Sequence, residues 1–231
     1  MNKLKKQINE KEYNNEFSYK LLAFENHFKN IYKACSYSFE KGCGSYLFDG
    51  QKYEYQIETY QKQKILYEKA KNKENILEIG TYMGHSLLII LMANPSINIT
   101  CIDINDKYSL PSVRYLQREF PDSNINFIKS DSLKVLKDLK EKYDLIHIDG
   151  AHNNNIVTKE FYYCMNLIKE RNAEFIFDDR ENVLILIKNI IETFFIKDSM
   201  SSKCIYSNLY LNIIFPENKF IYSYKRLNFI L

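Results

Sequence analysis

The sequence predicts a doubly wound α/β fold: a mostly parallel sheet with helices on both faces, a C-terminal antiparallel hairpin and a helical N-terminal extension. Two observations predict it. From Asn75 to Asp179, short strands that are apolar on both faces alternate with amphipathic helical stretches, the pattern of a parallel sheet covered on both sides. Before Asn75 that alternation is missing, and apolar residues recur at helical spacing among Lys, Glu, Gln, Asn and Tyr. The expected bounds are 1–72 for the extension and 73–231 for the α/β domain.

The elements follow in order. Leu21, Phe24, Phe28 and Ile31 mark one face of a helix. The stretch Lys41 to Gly50, KGCGSYLFDG, holds half of the six glycines and reads as turns. Ile57 to Lys71 reads as a second amphipathic helix with Ile57, Tyr60, Ile65 and Tyr67 inward. Ile76 to Gly80 is a first strand, and GHSLLIILMA opens a helix after it. A second strand runs from Ile97 to Asp103. Pro111 suits the first turn of the next helix, with Pro121 just past its end. Asn124 to Ser130 is a third strand, and Ser132 a helix cap for a segment reaching Lys142. Asp144 to Asp149 is a fourth strand, followed by a helix striped by Val157, Phe161, Cys164 and Ile168. Glu174 to Asp179 is a fifth, with a helix expected from Asn182 to about Phe195. NLYLNIIF and KFIYSYKRL flank Pro216 to Asn218 as a hairpin.

Composition narrows the class. A chain of 231 residues with 45% hydrophobic and 26% charged residues buries a sizeable core, which excludes a disordered or collagen-like chain. A net charge of +3 is too weak to indicate nucleic acid or a membrane surface. The longest apolar run, Leu87 to Ala93, is too short to span a bilayer. Cys35, Cys43, Cys101, Cys164 and Cys204 form no C-x-x-C pair, and the first residues have no apolar signal core. The expectation is a reduced, cytoplasmic protein with no nucleic-acid or membrane partner. The tyrosine-bearing N-terminal segment (Tyr53, Tyr55, Tyr60, Tyr67) is expected to serve as core, lid or homo-oligomer interface.

In a doubly wound sheet, ligands bind outside the carboxyl ends of the strands. Those ends are chemically loaded here. Strand one carries Glu78 and runs into the turn Gly80-Thr-Tyr82-Met-Gly84-His-Ser86. Strand two ends at Asp103, strand three at Ser130 and Asp131, strand four at Asp149 and His152, and strand five at Asp178 and Asp179. Gly80 and Gly84 permit a tight turn and close approach of a ligand, and the helix after them can receive an anion. Asp103, 23 residues after Gly80, stands where an acid meets ribose hydroxyls. The bland alternative is that both glycines serve packing and Asp103 caps a helix. Tyr82, two residues after Gly80, disfavours a dinucleotide, because a G-x-G-x-x-G turn needs glycine there. Asp149, Asp178 and Asp179 would repel one another unless a divalent cation joined them; all-oxygen ligands suit magnesium, manganese or calcium. The alternative is that Asp178 or Asp179 caps the following helix.

LEIGTYMGHS resembles the glycine-rich motif of class I S-adenosylmethionine-dependent methyltransferases. It is most similar to the metal-dependent O-methyltransferases of the catechol and caffeoyl-CoA types and of the macrolide and aminocoumarin sugar types. The resemblance covers about Asn75 to Asp179 and implies a seven-stranded Rossmann-like sheet. It implies that Gly80, Tyr82 and Gly84 line the methionine part of the cofactor, that Glu78 faces its amino end, and that Ser86 bonds its carboxylate. Asp103 would hold the ribose, and Ser130 and Asp131 the adenine. Asp149, Asp178 and Asp179 would bind Mg2+, Asp149 also bordering the cofactor. With Asp149, His152 would be catalytic, as general base toward a metal-polarised hydroxyl. His147 is read as a packed or hydrogen-bonded core residue, and no role is assigned to His85.

Two features differ from the family. KERNAE stands where a Gly-Gly turn usually precedes strand five, so Asn172 would take the left-handed conformation. The chain has no tryptophan for an aromatic gate, which favours a sugar-like acceptor over a phenol. IDGAH has no proline where an amino-directed nucleic-acid methyltransferase carries D/N-P-P-Y. The expected function is metal-dependent O-methylation of a small hydroxylated molecule, a sugar or nucleotide-sugar. The alternatives are a catechol-like phenol, or a non-catalytic protein that keeps only the cofactor fold.

Overall fold

The structure is a computed structural model describing residues 14–38, 57–169, 173–178, 204–206 and 211–214. The chain divides into two compact units. The first takes its described residues from Met1–Lys73, Thr81–Asn98 and Asn105–Phe127, and the second from Glu74–Gly80, Ile99–Ile104 and Ile128–Leu231.

In the first unit, α1 (Glu16–Ala23) begins at Asn15, whose side chain accepts from the Ser18 amide. Where one helix was expected, there are two. Phe24 leaves helical geometry at φ −95°, ψ 6°, and α2 (Glu25–Ala34) starts after it. Leu21, Phe28 and Ile31 are nevertheless all buried, because the break preserves the inward phase of the apolar face. Helix α3 (Ile57–Ala70) buries Tyr60, Leu66 and Tyr67; Ile65, expected inside, is only half-buried, and Leu66 takes the inward position. The two tyrosines flank Phe17 with ring centroids 5.3 and 5.1 Å away. Their hydroxyls are satisfied: Tyr60 pairs with Ser18 Oγ at 2.6 Å, and Tyr67 donates to Glu16 Oε1 at 2.6 Å. These two tyrosines are thus core residues, while Tyr53 and Tyr55 lie outside the described residues. Helix α4 (His85–Ala93) is buried on every side from Leu87 to Met92 and packs on α2 and α3.

Helix α5 (Asp106–Glu119) starts earlier than Pro111 suggested. Asn105 caps it, accepting from the Lys107 amide at 2.9 Å, so Pro111 falls inside the helix rather than in its first turn. Pro121 does lie past its end.

The sheet has the hydrogen-bonded order β3-β2-β1-β4-β5-β7-β6, formed by β1 (Asn75–Ile79), β2 (Asn98–Asp103), β3 (Asn124–Lys129), β4 (Leu145–Ile148), β5 (Glu174–Phe177), β6 (Cys204–Tyr206) and β7 (Leu211–Ile214). The chain starts centrally, works to one edge, then returns to the centre and builds outward the other way. That reversal between β1 and β4 is the switch point of a doubly wound fold. β1 with β4 and β4 with β5 are parallel; β7 runs antiparallel to β5 and β6. The hairpin expected around Pro216 to Asn218 lies outside the described residues, as do Asn172, Asp179 and the helix from Asn182 to Phe195.

The second unit is held by Leu77, Ile79, Ile146, Ile148, Phe175 and Phe177 from the strands against Val157, Phe161 and Cys164 of α7 (Asn154–Cys164). Phe161 sits edge-on to Phe175 at 5.1 Å. The expected helix from Ser132 to Lys142 is one turn, α6 (Ser132–Val135). Its cap is Asp131 rather than Ser132: Asp131 Oδ1 accepts from the Leu133 amide at 2.9 Å. The Ser132 hydroxyl instead donates to Glu160 Oε1 at 2.5 Å, so it cannot serve as cap. Cys35, Cys101 and Cys164 are buried and form no disulfide. Among the described residues, no helix is long and apolar enough to cross a membrane.

Candidate functional site

Backbone hydrogen bonds pin the strand ends together. Gly80 N–H donates to Ile102 O at 2.8 Å, Ser130 N–H to Asp103 O at 3.0 Å, Asp149 N–H to Ile79 O at 2.8 Å and Asp178 N–H to Ile148 O at 3.1 Å. Each acidic residue therefore leaves its strand from a fixed position, half-buried rather than solvated.

The glycine turn is the strained part. Gly80 (φ +88°), Tyr82 (φ +42°) and Gly84 (φ +71°) put three of five consecutive residues in the left-handed region, a concentration that surrounding structure must enforce. At Gly80 the enforcement is visible. A Cβ there would overlap the Asp149 carbonyl and lie 2.6 Å from Gly150 Cα. Glycine is thus required by the approach of the chain after β4, whatever it also permits for a ligand. Gly84 is the N-cap of α4, and a Cβ there would meet Ser112 Cβ at 3.2 Å. Tyr82 packs edge-on to Tyr108 at 5.1 Å, and Ser86 is half-buried in the first turn of α4. His85 beside it is buried against the Phe28 ring at 5.3 Å, and burial pushes its imidazole down to about 4, which keeps it neutral.

In the second unit, three donors converge. Atoms of His147, Asp149 and Asp178 all lie within 4.8 Å of one another. Asp149 and Asp178 were expected to cooperate; Asp179 lies outside the described residues, and His147 joins the group from the end of β4. Its ring is almost fully buried, with Nε2 3.9 Å from Asp178 Oδ1 and Nδ1 3.5 Å from Glu78 Oε1. Glu78, its registered partner on β1, is wholly buried. His152 is exposed just before α7 and is not one of the three. Sequence did hold a signal for His147: residues two apart on a strand share a face, so His147 had to project on the side of Asp149.

A second buried carboxyl was missed altogether. Glu160 of α7 is almost fully buried, and burial pushes its carboxyl up to about 7. It takes the Ser132 hydroxyl next to Asp131, the residue expected at the adenine. Its spacing held the signal, three residues after Val157 and four before Cys164 on the buried stripe of α7, but its charge argued against placing it inside.

Residues 77–180 match the family model described as a methyltransferase domain. Two Arabidopsis thaliana relatives align with this domain. Tapetum-specific methyltransferase 1 is 31% identical over 106 residues, covering 44% of this chain and 43% of that protein. A protein assigned as a caffeoyl-CoA O-methyltransferase is 39% identical over 92 residues, covering 38% of this chain and 40% of that protein. The chain thus matches about two-fifths of the length of these relatives. The structure of a Bacillus cereus O-methyltransferase in complex with SAH superposes at a TM-score of 0.54 with 15% identity, over 82% of this chain and 91% of that one. At that identity, the superposition shows a shared fold alone.

Proposed function

We infer that the protein is an S-adenosylmethionine-dependent O-methyltransferase that uses a divalent cation and acts on a small hydroxylated acceptor, a sugar or nucleotide-sugar. The observation that carries this reading is the convergence of Asp149 and Asp178 with His147 at the end of β4 and β5, in a chain whose residues 77–180 match a methyltransferase domain. Half-buried carboxylates held this close are costly without a cation.

Asp103 would accept from the ribose hydroxyls, and Ser86 would donate to the methionine carboxylate. Gly80, Tyr82 and Gly84 would present backbone to the methionine portion, and Ser130 and Asp131 would meet the adenine. Asp131 Oδ1 is engaged by the Leu133 amide, which fixes the carboxylate plane for that role. The cofactor, when bound, supplies an electrophilic methyl group. A cation, when bound by Asp149 and Asp178, supplies charge that offsets the developing oxyanion of the acceptor. His152, from its exposed position, would take the acceptor proton. The protein's remaining contribution is orientation of the two reactants, for which the pinned strand ends are suited.

The caffeoyl-CoA relative favours a second acceptor class, catechol-like phenols. Calorimetric titration with S-adenosylmethionine, with Mg2+, with Mn2+ and with chelator, tests the cofactor. Micromolar affinity is expected in every condition, and absence of binding in all three would end the methyltransferase reading. Mass-spectrometric screening of nucleotide-sugars against catechols then separates the acceptors: a methylated phenol with inert sugars overturns the first choice.

A further inference from the structure

The ring of His147 is bracketed by two carboxylates. Nδ1 faces Glu78 Oε1 at 3.5 Å, and Nε2 faces Asp178 Oδ1 at 3.9 Å. Among the described residues, no hydrogen bond is made by His147 Nδ1 or by either oxygen of Glu78, although both side chains are almost wholly buried. A buried carboxylate without a donor is expensive, and an adjacent imidazole N–H is the nearest remedy. Nδ1 is therefore the nitrogen that carries hydrogen toward Glu78. In a neutral ring that leaves the Nε2 lone pair directed at the side of Asp149 and Asp178. A lone pair facing two carboxylates is repulsive unless a cation stands between them.

We propose that the cation site of this protein is a mixed nitrogen–oxygen site, in which His147 Nε2 joins Asp149 and Asp178 as a ligand and Glu78 positions His147 through Nδ1. Such a carboxylate–histidine–metal arrangement fixes the tautomer and raises the basicity of the ligating nitrogen. One imidazole with two carboxylates favours Mn2+, Fe2+ or Zn2+ over Mg2+, which prefers oxygen throughout. The proposal deepens the metal-assisted reading above and rests on it for its use in catalysis, but metal binding is measurable with neither cofactor nor acceptor present.

The experiment is Mn2+ binding to the full chain, followed by electron paramagnetic resonance, with Mg2+ as competitor. Mn2+ is expected to bind at least about ten times more tightly than Mg2+. Its electron spin echo should show modulation from a directly bound 14N. His147→Phe should abolish that modulation. Glu78→Gln should retain it while weakening Mn2+ by about 10- to 100-fold. If His147→Phe does not fold, as judged by circular dichroism, the echo of the wild-type protein decides alone. Mn2+ bound without 14N coupling would mean an all-oxygen site and overturn the proposal. So would failure of the folded protein to bind Mn2+. Either result leaves the S-adenosylmethionine titration untouched; Mn2+ bound without 14N coupling removes His147 alone, whereas no Mn2+ binding removes the cation from the proposed function as well.

Discussion

Glu78 and His147 are registered partners on adjacent parallel strands, and Glu78 Oε1 lies 3.5 Å from His147 Nδ1 where neither side chain reaches solvent. A fully apolar pair at this position would pack as well and avoid the cost of desolvation. The pair therefore points to function more than to stability, and it lies beside the strand ends on which the remaining expectations depend.

Gly80→Ala should be among the most destabilising single changes in the chain. The added methyl meets backbone at Asp149 and Gly150, which cannot rotate away, and φ +88° is itself unfavourable for alanine. A loss of about 3 kcal/mol or more is expected in chemical denaturation. Gly150→Ala is the comparison: its Cβ would meet the Ile79 side chain at 3.1 Å, which can yield, so about 1 kcal/mol is expected. Equal effects would show that β1 and the β4 end are not in close approach.

Stability should fall as pH rises through the Glu160 titration. Its folded carboxyl is raised from 4.5 to about 7, so between those values the folded protein holds a proton that the unfolded chain has released. The contribution is fully present below about 4.5 and lost above about 7, on the order of 3 kcal/mol in total. Glu160→Gln should flatten that segment of the stability profile. An unchanged slope would place the carboxyl in contact with water.

Asp103→Ala should weaken S-adenosylmethionine by at least about tenfold, the scale of a charge-assisted hydrogen bond to a ligand hydroxyl. Asp103 is half-buried, and its carbonyl accepts from the Ser130 amide, so a folded variant is expected. Unaltered affinity in calorimetry would remove Asp103 from the cofactor site.

His152→Ala should lower kcat by about 100-fold or more, as loss of a general base does. Because His152 is exposed, the fold should not suffer. An unchanged kcat would hand proton removal to solvent.

The strands were legible because burial on both faces leaves an unbroken apolar run, and β1, β2, β4 and β5 begin and end within a residue or two of expectation. Helix starts were less legible, since several polar residues compete for each cap. Asn105 capped ahead of Pro111, and Asp131 ahead of Ser132. The break at Phe24 was hidden because the apolar phase continues through it. At the site, the acidic residues were legible by their place after strands. The Glu78–His147 pair was not, because it depends on which strands lie side by side, and β1 and β4 are separated by more than sixty residues of chain.

Helix α4 is buried on every side from Leu87 to Met92, and α2 and α3 supply part of that cover. A protein shortened to begin at Lys73 would leave this greasy cylinder wet along one flank. It should therefore precipitate or self-associate during expression, however complete its complement of site residues. Helices α2 and α3 are on this account scaffolding for α4, and trimming them is a poor route to a shorter protein.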